Sequence, residues 1–127
     1  MARRPANRQQ FQRTDRVSEI VREVVALELE RLGDERLELV TVTAVEVDNE
    51  LSVAKVFYSA LVAEDEGRVE LVADALEETR WRIQRAVNAT VKARRTPQIK
   101  FVPDEVLRAA MRIDDLLAGR QDPTTDT

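Results

Sequence analysis

Apolar residues recur at helical spacing from residue 17 onward, where Val17, Ile20, Val21, Val24, Leu27 and Leu32 follow mostly at steps of three and four. This stripe predicts an amphipathic helix from about Asp15 to Leu32. Thr14 or Asp15 can cap its start, and Gly33 stands where a left-handed C-terminal cap belongs. The period then shortens. Leu39 to Val47 and Leu51 to Leu61 are rich in β-branched residues, with the polar Asp48-Asn49-Glu50 between them, which predicts an antiparallel hairpin. Strict alternation fails around Ala44-Val45, marking a bulge or a more deeply buried strand.

Ala63 to Gly67 reads as an acidic loop. A long helical stripe follows in Val69, Val72, Ala73, Leu76, Ile83, Val87 and Val91, running to about Ala93. Helices in small domains average about 11–12 residues, so this stretch is expected as two helices meeting at a kink, where the stripe is weakest at Thr79-Arg80. Pro97 pushes Thr96 towards an extended backbone and ends the segment. Ile99 to Val102 predicts a short strand, and Pro103-Asp104 opens a last helix with the stripe Val106, Ala110, Ile113 and Leu117, closing at Gly119.

The expected order is α-β-β-α-α-β plus a C-terminal helix. It describes a two-layer α+β domain with helices on one face of a three-stranded sheet. Residues 1–13 lack apolar periodicity and are expected as a flexible basic N-terminal arm. Residues 14–119 form the domain, and 120–127 are expected as a disordered polar tail.

Charge adds what periodicity does not. The net charge of −4 hides a separation: residues 80–100 hold seven Lys or Arg and no Asp or Glu, and residues 1–16 hold five Arg against Asp15 alone. The remainder is strongly acidic. Concentrated cationic segments suit a polyanion, because each neutralised phosphate releases counterions. The acidic remainder limits how the molecule docks.

The chain has no His and no Cys. That removes the usual general base near neutral pH, the thiolate nucleophile, the common zinc ligands and any disulfide. Its only glycines are Gly33, Gly67 and Gly119, so neither phosphate-binding glycine motif can be written. Asp114-Asp115 and Glu77-Glu78 are the nearest approach to a carboxylate dyad, but adjacent helical acids point in different directions. A non-enzyme with no cofactor and no metal is expected. Without a secretory or membrane-spanning apolar run, a soluble cytoplasmic protein is the default.

Four stretches carry a resemblance to a known family. They are Arg16-Val17 with the helix to Leu32; Asp34-Glu35-Arg36-Leu37 entering Val40-Thr41-Val42-Thr43; Val45-Glu46-Val47 leading to Leu51-Ser52-Val53-Ala54-Lys55-Val56; and Arg95-Thr96-Pro97-Gln98-Ile99-Lys100-Phe101 before Arg112-Ile113-Asp114-Asp115-Leu116-Leu117. In order and spacing the chain resembles the ribosome-binding factor A family over about residues 12–117, and its element order is similar to a type II KH domain. The resemblance implies a non-enzymatic, monomeric RNA-binding protein of the bacterial cytoplasm. It implies binding to the immature small ribosomal subunit and its rRNA, and late maturation of the rRNA 5′ end region, notably in the cold. No membrane or small-molecule substrate is implied. The family's Ala-x-Gly kink corresponds here to Thr79-Arg80-Trp81, and its frequent Asp-Ser before the last helix to Pro103-Asp104-Glu105.

On a helix of about 100° per residue, Trp81, Arg85, Asn88 and Lys92 share a stripe roughly opposite Leu76, Ile83 and Val87. Arg80, Arg82, Arg94, Arg95 and Lys100 extend the charge around it. Arg85 and Lys92 suit phosphates, and Trp81 suits an unpaired base, or alternatively packs against a neighbouring helix. Lys92 and Arg94 also complement a helix C-terminus. Arg3, Arg4, Arg8 and Arg13 add electrostatic reach from the arm. Asp34-Glu35-Arg36-Leu37 reads as structural, with Arg36 paired to an acid across the turn and Leu37 plugging the core edge. The rival reading is a protein-interaction module whose acidic face does the work, through residues such as Glu19 and Glu23.

Overall fold

The computed structural model describes the backbone of residues 3–92 and 94–118, and the side chains from Arg13 onward except those of Ala93 and Asp115. Its elements are α1 (Arg3–Leu32), a 3-10 turn (Glu35–Leu37), β1 (Thr41–Val47), β2 (Val53–Ser59), α2 (Leu61–Asp65), α3 (Val69–Thr90), β3 (Gln98–Pro103) and α4 (Glu105–Leu117). The expected closure at Gly119 and the tail 120–127 lie outside the described residues.

The sheet order is β1-β2-β3, with β1 antiparallel and β3 parallel to the central β2. Parallel pairing requires a crossover, and α2 with α3 provides it. The core-facing residues of the sheet are Val42, Ala54, Val56 and Ile99, packed against Val21 and Val25 of α1 and Ile83 and Val87 of α3. A second buried cluster joins Leu37, Tyr58, Ala63, Val72 and Leu76 at the other end of α3. This is the expected α+β architecture, with α1 and α3 on one face of the sheet.

Several boundaries differ from the sequence expectation. The helix expected from Asp15 begins at Arg3, so residues 3–13, read as a flexible arm, are helical, and Thr14 and Asp15 lie inside α1 rather than at its cap. Pro5 falls in the first turn, where its missing N–H has no intrahelical acceptor to lose, and no glycine or proline follows it before Gly33. The acidic loop contains the short helix α2, which buries Ala63 before Gly67 turns the chain at φ +71°.

The expected division into two helices is absent: α3 is one helical segment from Val69 to Thr90. None of Thr79, Arg80 and Trp81 is a glycine or proline that would break it, and the Thr79 hydroxyl donates back to the Ala75 carbonyl at 2.9 Å, a bond that bends a helix rather than ending it. The two consecutive helices of the expected order are therefore α2 and α3, not two halves of α3.

The β1–β2 register slips between Val42 and Ala44, leaving Thr43 as the extra residue. Thr43, expected to be an ordinary strand residue, donates its hydroxyl to the Asp104 carboxylate at 2.6 Å, while Asp104 caps α4 by accepting from the Leu107 N–H at 2.8 Å. Those hydrogen bonds hold the Asp104 carboxyl below its usual pKa. The bulge and the last helix are thus joined at one side chain. Beyond that cap, the α4 stripe faces outward, with Val106 and Leu117 each 82% exposed.

Candidate nucleic-acid interface

Ile83 and Val87 are fully buried, which fixes the rotation of the C-terminal half of α3 and turns the opposite face outward. On that face Trp81 is 59% exposed, and the Arg85 guanidinium carbon lies 5.8 Å from its ring centroid. The ring is therefore outside the core, on the same face as Arg85 and Asn88. Its alternative packing against a neighbouring helix is not what the structure adopts.

Lys92 does not belong to the helical row. The helix ends at Thr90, with the Val91 N–H closing onto the Val87 carbonyl at 2.8 Å. Lys92 follows in extended chain, and Arg94 and Arg95 stand exposed in the bend before β3. Lys100 is exposed on β3, directly beside Lys55 of β2 in the sheet register. Both alternate with the core-facing Ala54, Val56 and Ile99, so this lysine pair lies on the face of the sheet away from α3.

Gln84 is the residue that sequence reasoning missed. Its carboxamide nitrogen donates to the Asn88 side-chain oxygen at 3.0 Å and to the Pro97 carbonyl at 2.9 Å, and its oxygen accepts from the Ile99 N–H at 2.8 Å. One side chain ties the outer face of α3 to the first residues of β3. The bend carrying Arg94 and Arg95 is held between those anchors, with Pro97 buried beneath it. The signal was slight: a polar residue one position from core Ile83, ahead of a strand whose second N–H, that of Ile99, takes its acceptor from outside the sheet.

Arg80 and Arg82 diverge from the row. Arg80 is half-buried and pairs with Glu77 at 3.1 Å, so the acid-free stretch borrows a partner from three residues before it. It lines a shallow groove with Lys100 along β3. Arg82 faces the C-terminal end of α1, near Glu28 and Arg31. The backbone of Arg3, Arg4 and Arg8 is in α1 and their side chains lie outside the described residues, while Arg13 is exposed.

Electrostatically, the nearest carboxylates are already engaged. Glu78 accepts two hydrogen bonds from Arg36 at 3.1 Å, and Arg36 also grips Asp34 at 2.8 Å. The guanidinium holds both carboxyls below their usual pKa, and they in turn raise that of Arg36. Arg36 and Leu37 thus do what the sequence assigned them, since Leu37 is buried in the second core cluster. Because Glu77 and Glu78 turn to different arginines, they form no dyad. Among the described residues, Arg82, Arg85, Lys92, Arg94, Arg95 and Lys100 make no ion pair. Cations left unpaired beside an exposed indole form a surface that can neutralise phosphates and stack a base. No described helix is long and apolar enough to cross a membrane.

Comparison with known proteins agrees with this geometry. Residues 13–117 match the family model described as ribosome-binding factor A. Ribosome-binding factor A of Rubrobacter xylanophilus is 40% identical over 106 residues, covering 83% of this chain and 84% of the relative. That of Bifidobacterium longum is 38% identical over 109 residues, covering 84% of this chain and 69% of the relative. The crystal structure of ribosome-binding factor A from Thermus thermophilus superposes with a TM-score of 0.59 at 31% identity, covering 71% of this chain and 94% of that one. Thermus thermophilus coordinates fitted into a cryo-electron-microscopy map of a 30S complex give a TM-score of 0.51 at 34% identity, over 65% of this chain and 86% of theirs.

Proposed function

The chain belongs to the ribosome-binding factor A family, and on that premise we propose that it binds the small ribosomal subunit through its rRNA and promotes late maturation, including that of the rRNA 5′ end region. It acts without catalysis, as a monomer in the bacterial cytoplasm. The observation that supports this reading most is the exposed Trp81 with Arg85 beside it, on a helix that ends in the unpaired Lys92, Arg94 and Arg95, with Lys100 exposed on the adjoining strand. The arginines offer bidentate forks to phosphate oxygens, and the indole takes an unstacked base. Arg3, Arg4, Arg8 and Arg13 extend the same field from the start of α1, with Arg82 and Arg80 at its margins. The mechanism is occupancy: the protein holds one rRNA conformation and leaves when the site matures.

The test is the salt dependence of binding to purified immature small subunits. Each phosphate contacted contributes about 0.7 to 0.9 to the slope of log affinity against log salt. A slope near zero would rule out a phosphate-based interface.

A further inference from the structure

A different face carries a second interaction surface. An open groove of about 680 Å³ runs between α1, the 3-10 turn and the start of β1. It shares no lining residue with the cationic surface. Its floor is apolar, including Leu29, Leu37 and Val42, and Leu39 stands at its edge, 67% exposed with φ +69°. A branched residue held in the left-handed region costs stability, and such positions cluster where a ligand is clamped. Leu39 therefore exposes a large apolar side chain at a backbone position that glycine would fill with less strain.

Two further features define what fits there. β1 is an edge strand, and among the described residues no strand pairs with its outer side. Its unpaired N–H and C=O groups offer a template for an added strand. The groove is also lined by Glu30, Glu35 and Glu38, none of which makes an ion pair among the described residues, while Asp34 is held by Arg36. Among the described residues, Arg22 is the only cation lining it. Such a rim rejects a phosphate backbone and complements lysine and arginine.

We propose that this groove binds an extended, basic segment of a partner protein, added as a strand along β1. Alternate side chains on the face that α1 covers are apolar and rest against Leu29 and Val42, and the segment's cations complement the acidic rim of Glu30, Glu35 and Glu38. Strand periodicity requires that alternation, because successive side chains point to opposite faces.

The test uses the full chain and a peptide of about eight residues alternating lysine and valine, with a block-ordered peptide of the same composition and an oligouridylate of about the same length as controls. Amide shifts are followed by NMR and affinity by fluorescence anisotropy. The alternating peptide should shift the Leu39–Thr43 amides and leave those of Trp81–Asn88 in place, and the block peptide should bind about tenfold more weakly. Combined Glu30→Lys, Glu35→Lys and Glu38→Lys, all at exposed positions, should cost about tenfold or more with an unchanged circular dichroism spectrum. Leu39→Gly should raise the melting temperature yet weaken the peptide. The proposal is overturned if the alternating peptide leaves those amides unmoved, if either variant binds it as wild type does, or if the oligouridylate moves the same amides.

Discussion

The Arg85 guanidinium carbon sits 5.8 Å from the centre of the Trp81 ring, within the range of a cation–π contact on an open helix face. The pair links the two chemistries an RNA interface needs, since one partner is a cation and the other a π surface. Arg85 orients the indole without burying it. Trp81→Ala should lower affinity for small-subunit rRNA by about 1–3 kcal/mol, the typical worth of one stacked base, and Trp81→Phe should recover part of that. Titration of immature subunits with labelled protein measures both. Trp81 is the sole tryptophan, so quenching of its fluorescence on binding reports the same contact directly.

Gln84 holds the basic bend to α3, and its removal should be felt in both stability and binding. Gln84→Ala leaves the Ile99 N–H and the Pro97 carbonyl without their side-chain partner. Loss of a half-buried polar partnership of this kind costs about 1–3 kcal/mol. Chemical denaturation gives that figure, and hydrogen exchange at the Ile99 amide should quicken in step. Gln84→Glu keeps the acceptor for Ile99 but loses the donor to Pro97, so it should protect Ile99 better than alanine does.

Acid should weaken the fold through Arg36. The folded-state pKa values of Asp34 and Glu78 are lowered by its hydrogen bonds, so their contribution is full above the ordinary carboxylate range. It is lost as pH falls through the depressed folded values. Asp48 and Asp104 act in the same direction, held down by hydrogen bonds from Ser52 and Thr43. The melting temperature should therefore fall between about pH 5 and pH 3. In Glu78→Gln the fall should be shallower, with lower stability at neutral pH.

Burial separates α3 from α4 as targets. Ile83 is fully buried between α1 and the sheet, and Ile83→Ala should cost about 2–5 kcal/mol. Val106 and Leu117 carry an equally apolar sequence pattern but are exposed, so Val106→Gln or Leu117→Gln should change stability by less than about 0.5 kcal/mol. Urea denaturation of the three variants makes the comparison.

That contrast shows what the sequence can and cannot tell. Periodicity located α1, the hairpin, α3 and β3, because each buries one face and the spacing of Val21, Val25, Ile83 and Val87 records it. It failed where no buried face was needed. Residues 3–13 are helical without an apolar stripe, and α4 has a stripe that stays exposed among the described residues. The kink expected at Thr79-Arg80 rested on a weak point in that stripe, yet an unbroken hydrogen-bond ladder needs only the absence of breakers. The basic stretch was visible as composition, but its division was not. Arg80 turns to Glu77, Lys92 leaves the helix and Lys100 pairs with Lys55 on the far face of the sheet, all consequences of helix ends and strand register. Gln84 was hidden because its partners Pro97 and Ile99 lie 13 and 15 residues away, beyond a bend.

The central claim is that the cationic surface around the end of α3 holds the small subunit. Co-sedimentation of wild type and the combined Arg85→Glu, Arg94→Glu, Arg95→Glu variant with immature small subunits tests it most directly. All three positions are exposed and make no ion pair among the described residues, so the variant should fold as wild type does. Wild type should pellet with the subunit at low salt and be released as salt rises, and the variant should stay in the supernatant throughout. Equal pelleting of both proteins would contradict the assignment of this surface, and wild type left in the supernatant at low salt would contradict subunit binding itself.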